Sequence, residues 1–154
     1  MVSAYKATAA DNLGAQALLL RSLGRTTNEA MLERTLNLIL DDTVLPPLKP
    51  FIMEGVASSG IGIRVALKWV QDRWPDIMSA GVPPAEIITK LVAKMTKRED
   101  IDMLGSWMME PARAQYFEAV QPAVALALVT TEWAERDLES VKGWLAKDGN
   151  ASVS

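Results

Sequence analysis

Histidine and cysteine are both absent from the 154 residues. Without cysteine there is no disulfide, no thiolate-held zinc and no thiol nucleophile. Without histidine there is no HExxH zinc site, no Ser-His-Asp triad and no imidazole acid–base catalyst. Any metal would depend on carboxylates and carbonyls, so composition points away from most hydrolases. A basic field is missing too: 16 Lys and Arg stand against 19 Asp and Glu, a net charge of -3. Such a chain gathers neither nucleic acid nor an anionic membrane. The most apolar stretch, Ala123 to Val129, is far too short to span a bilayer. Met1 to Lys6 lacks the charged and then apolar regions of a signal peptide. A cytoplasmic protein with no nucleic-acid or membrane partner is the expectation.

What is present suits one soluble domain, with 49% hydrophobic and 23% charged residues. Apolar residues recur at helical spacing throughout. Leu13, Ala17, Leu20 and Leu23 mark a helix over 12–23 that ends at Gly24. Thr26 and Glu29 have the spacing of a capping box, opening a second helix with Met31, Leu32, Leu36, Ile39 and Leu40 inward. Pro46, Pro47 and Pro50 break the chain, and a short helix is expected over 50–57. Ser58-Ser59-Gly60 is a turn, and 63–74 a fourth helix with Pro75 at its end. Beyond Gly81, Pro83-Pro84 opens a helix carrying Ile87, Ile88, Leu91, Val92 and Met95. Ile101, Leu104, Trp107 and Met108 form the next apolar face. A long helix follows over 111–136, with Pro122 expected to kink it. Leu138, Val141, Trp144 and Leu145 make a last helix. No stretch alternates long enough for a strand. The reading is all-α, with antiparallel helical hairpins stacked in an irregular HEAT-like array. Residues 1–147 form the module and 148–154 a polar tail.

The apparent chemical motifs fail on inspection. Gly55-Val56-Ala57-Ser58-Ser59-Gly60-Ile61-Gly62 looks like the glycine-rich turn of short-chain dehydrogenases. That turn needs a buried strand before it, and Gly55 and Gly60 stand one residue too far apart. Tyr116 lacks a lysine four residues on, since position 120 is Val120. Ile61-Gly62 occupy the P-loop's Lys and Ser/Thr positions. Glu132, Glu135 and Glu139, with Arg136 and Lys142 interleaved, read as surface ion pairs on a helix. Trp69, Trp74, Trp107, Trp133 and Trp144 read as core packing. Met103 to Met109 reads as gap filling or groove lining.

Leu23-Gly24-Arg25-Thr26, then Leu32-Glu33-Arg34-Thr35-Leu36, resembles the LGRT…L-x-R-x-L signature of the C-terminal domain of gluzincin-type zinc aminopeptidases. The puromycin-sensitive and fungal cytosolic enzymes are the branch it looks most like. Gly55-Val56-Ala57, with Ala66, Trp69 and Trp74 after it, is similar to the family's G-[GV]-A…W…W run. Trp133-Ala134-Glu135-Arg136-Asp137 with Val141, Trp144 and Leu145 resembles its closing W-L-x-R-D…WL pattern. The resemblance runs from about Tyr5 to Leu145. Pro47-Leu48 replaces the usual Gln-Asp, Ala125 and Thr130 replace an acidic residue and Asn, and Pro122 is unusual.

The resemblance implies a helical module arching over a catalytic domain, enclosing the substrate chamber and moving between open and closed states. It implies that the zinc and the exopeptidase loop belong to that other domain, in cis or in trans. Ile52-Met53-Glu54-Gly55 holds Met-Glu without the loop's leading Gly or its Asn. No catalytic, cofactor or metal residue is therefore assigned here, and a peptide is the further partner implied. The alternative expectation is a free-standing helical scaffold that binds a protein or peptide in its groove; an independent dehydrogenase stands third. The family has further helices before the position of Tyr5. Leu13, Leu18, Leu19, Leu20 and Leu23 are too many for one narrow stripe. An apolar patch there, and self-association through the N-terminal helix, are expected.

Overall fold

A computed structural model describes residues 12–149. Among the described residues every regular element is helical, as the all-α reading requires. Asn12 starts α1 (Leu13–Leu23) by accepting the amide of Ala15 at 3.0 Å, and Gly24 closes it. The helix α2 (Glu29–Leu36) is capped by Asn28, not by the Thr26 of the expected capping box. Asn28 Oδ1 accepts the Met31 amide at 3.1 Å, and Thr26 Oγ1 accepts the Asn28 amide at 3.2 Å. Thr26 thus holds the cap residue from outside the helix, a local Ser/Thr turn competing with the box. A 3-10 turn (Asn37–Ile39) continues α2, and a second (Pro46–Leu48) leads into α3 (Lys49–Val56).

Ser59 caps α4 (Gly60–Asp72), accepting the Gly62 amide at 3.0 Å. The helix expected to run to Trp74 stops at Asp72, and Trp74 opens a separate helix, α5 (Trp74–Ser79). Arg73 leaves helical geometry at φ -106 and ψ 12, and Pro75 falls in the first turn of α5, where its missing N–H costs nothing. Gly81, at φ 66, turns the chain into α6 (Pro84–Val92). After α7 (Arg98–Met108), α8 (Ala114–Gly149) is one helix of 36 residues. The two helices expected on either side of Asp137 are therefore continuous. No glycine or proline separates them, so nothing in the sequence stops the helix there. The helix also passes the expected module boundary at 147.

Helix α3 is central. It packs on α1, α2, α4 and α6; α2 also packs on α4, and α8 closes over α6 and α7. The core runs through Leu32 and Leu36, Ile52 and Val56, Ala66 and Val70, Ile87 and Leu91, and Leu104 and Val120. Met31, expected inward, is exposed, because the inward stripe of α2 is Leu32, Thr35 and Leu36. No described helix is long and apolar enough to cross a membrane.

Candidate functional site: a glycine-floored polar cleft

The glycine segment 55–62 is a helix-to-helix junction. Helix α3, not a strand, precedes it. Two of its glycines, Gly55 and Gly62, are needed for contact between backbones, whereas Gly60 faces open space. A Cβ on Gly55 would lie 2.2 Å from the carbonyl oxygen of Arg21, and one on Gly62 would lie 1.8 Å from that of Val56. These positions exclude any side chain because α1 and α4 close on α3 there.

Beside this junction a cleft of about 600 Å³ opens between Gly24, Arg25, Thr26, Thr27, Ser58 and Ser59. Its lining offers one guanidinium and four hydroxyls. None of these hydroxyls has a histidine or carboxylate in the lining to activate it, so the cleft can hydrogen-bond a polar or anionic group but not attack one. The sequence drew attention to Leu23-Gly24-Arg25-Thr26 and to Ser58-Ser59 separately. Nothing in the spacing shows that the two turns share a wall.

A second polar cluster lies across α1, α3 and α6. The Glu54 carboxylate accepts hydrogen bonds from Arg21 Nη2 at 3.0 Å and from Lys90 Nζ at 3.3 Å. Both cations also stand 5.4 Å from the centre of the Phe51 ring. Burial by itself raises the Glu54 pKa. The Lys90 hydrogen bond, with the charges of Lys90, Arg21 and Lys94, outweighs it and holds the carboxyl below its ordinary value. Glu54 is thus a fixed anion joining three helices. Its neighbour Met53 is fully buried, so the Met-Glu pair is structural here.

The five tryptophans divide. Trp69 is buried and donates Nε1–H to Asn37 Oδ1 at 2.9 Å. Trp74 is buried edge-on against Trp107 at 5.2 Å and Tyr116 at 5.6 Å, and Arg113 caps Trp107 at 4.2 Å. Trp133 and Trp144 do not pack in the core; they are 60% and 61% exposed on α8. Beyond Glu132 that helix outruns the described body, so its apolar residues there stay exposed. Glu132 pairs with Arg98 at 2.8 Å and Glu139 with Lys142, both exposed, which agrees with a solvated charged face. Met103 and Met109 are exposed while Met108 is buried. On α1, Leu18 is 64% exposed and Leu13 exposed, whereas Leu19 and Leu23 are half-buried and Leu20 is buried.

No group of three acidic residues is placed to hold a metal ion among the described residues. With no histidine or cysteine in the chain, the residues present do not fit zinc.

A family model described as the ERAP1-like C-terminal domain matches residues 1–132. Two budding-yeast (Saccharomyces cerevisiae) proteins are similar to the chain. Aminopeptidase 2, mitochondrial, is 24% identical over 135 residues, covering 84% of this chain and 14% of that protein. Alanine/arginine aminopeptidase is 26% identical over 132 residues, covering 83% of this chain and 15% of that protein. The chain therefore spans about one-seventh of the length of these relatives. The match ends at residue 132, so the Trp133 to Leu145 run lies beyond it.

Proposed function

The chain belongs to the ERAP1-like C-terminal domain family, and from that membership we propose that it serves as the non-catalytic helical module of a zinc metallo-aminopeptidase. The match over residues 1–132 carries the reading. In this role the module encloses the substrate chamber and supports peptide binding and domain closure. The zinc and the peptide-cleaving groups reside in the catalytic domain, which is its partner in cis or in trans, and the setting is cytoplasmic. The cleft at Arg25, Thr26 and Ser59 supports a contact with the polar backbone or terminus of a peptide, because it offers donors without a nucleophile. Leu13 and Leu18, exposed on α1, support contact of that helix with the rest of such an enzyme.

The test is to isolate the protein from its source and identify, by mass spectrometry, the polypeptide that carries it or binds it stoichiometrically. An HExxH-bearing chain is expected, together with peptidase activity whose preference for long over short peptides weakens when residues 12–149 are deleted. A free-standing protein with no such partner and no associated peptidase would sink the reading. It would favour a helical scaffold that binds a partner in the cleft.

A further inference from the structure

Along α8, one line of positions alternates spacings of three and four residues. It begins with Phe117, Val120, Val124, Ala127 and Thr131 and continues without a break through Ala134, Leu138, Val141 and Leu145. Such a repeat is the seam of a coiled coil, which keeps one face of a helix against a partner helix. The first half has its partner: Val120, Ala127 and Thr131 are buried, and Phe117 and Val124 are half-buried against the body. Among the described residues the second half has none. Leu138, Val141 and Leu145 are 54%, 52% and 57% exposed. The change comes at Glu132, whose bridge to Arg98 ties α8 to the start of α7. The free half also lies outside the family match, which ends at residue 132.

We propose that the free half of this seam pairs antiparallel with the same segment of a second copy, making a two-helix homodimer contact. The segment is complementary to itself in that orientation. With Leu138 set against Val141 of the second copy, Ala134 falls opposite Leu145, small against large, twice by symmetry. In the same register Glu135 flanks Lys142 of the second copy, and Lys142 flanks its Glu135. Two opposite-charge pairs therefore border the apolar layers. The antiparallel arrangement also puts the two bodies at opposite ends of the paired helices. The exposed parts of Ala134, Leu138, Val141, Trp144 and Leu145 amount to on the order of 500 Å² per copy, about 1,000 Å² for the pair, near the lower bound for a specific interface. The dimer is accordingly concentration-dependent.

Sedimentation velocity on the full 154-residue chain, up to about 200 µM, tests this. A monomer–dimer equilibrium is expected. Leu138→Glu should weaken it more than about tenfold, with unchanged helicity and melting because residue 138 is exposed. Glu135→Lys and Lys142→Glu should each weaken it, and the double exchange should restore it, which a parallel pairing would not do. Leu18→Gln should leave it intact. A wild-type monomer throughout overturns the proposal and gives the seam to a different chain. A dimer that survives Leu138→Glu, or that is dissolved by Leu18→Gln instead, overturns it as well. So does a double exchange that fails to restore pairing.

Discussion

Gly24 and Gly55 meet backbone against backbone: a methyl group on Gly24 would sit 2.2 Å from the carbonyl carbon of Gly55. That contact lets α1 lie on α3 and brings the Arg25 turn beside the Ser58-Ser59 turn, forming the cleft. Two glycines distant in sequence thus set the shape of the candidate site.

Gly24→Ala and Gly55→Ala should each destabilise the chain by about 2–4 kcal/mol, since the added methyl displaces backbone and not a flexible side chain. Gly105, in the middle of α7 with nothing near its Cβ position, should behave oppositely. Gly105→Ala should stabilise by about 0.5–1 kcal/mol through helix propensity. Urea denaturation of the three variants separates the cases; equal losses in all three would refute the contact.

Glu54→Gln should cost about 1–2 kcal/mol at neutral pH, the discount reflecting Arg21 and Lys90 side chains that are 37% and 39% exposed. Because the folded pKa is lowered, the carboxylate's contribution is complete above the ordinary glutamate pKa of about 4.3. It is lost as pH falls through that value toward the lowered one. The gap between wild type and Glu54→Gln should therefore close in acid. A gap that persists unchanged at pH 3, about one unit below the ordinary value, would mean the charge is not what stabilises.

Met31 and Leu32 are adjacent in sequence but only Leu32 is buried. Leu32→Ala should cost about 2–5 kcal/mol, whereas Met31→Gln should stay within about 0.5 kcal/mol. Comparable losses would place the inward face of α2 wrongly.

Neither NAD, NADP nor zinc should shift the melting temperature at millimolar concentration, and EDTA should leave it unchanged. Gly55 and Gly62 lie against protein backbone, and the sequence has no histidine or cysteine to hold zinc. A ligand that binds the native state must raise its stability by mass action, so a saturable shift of several degrees would overturn this.

Much of the architecture was legible because it follows from local rules. Apolar spacing placed most of the helices, and Gly81 and Pro83-Pro84 marked a boundary that the structure keeps. The absence of histidine and cysteine settled, before any fold, which chemistries the chain lacks. The resemblance around Leu23-Gly24-Arg25-Thr26 led to the family that the comparison shows. What stayed hidden depended on which surfaces meet. Asn28 in place of Thr26 as the cap, and the break at Arg73, turn on backbone angles that neighbouring residues decide jointly. Arg21, Glu54 and Lys90 carry no sequence signal as a cluster, because three helices must pack before they meet.

Trp133 and Trp144 show the limit most plainly. Helical spacing established that they lie on an apolar face, and α8 confirms that face. Whether the face is covered depends on where the body beneath the helix ends, and that is a property of the packed fold. Helices, most of their inward stripes and the missing chemistry depend on residue type and period, so they can be read along the chain. Which stripes found a partner came from packing. Burial is a relation between elements far apart in the chain, and no local pattern contains it.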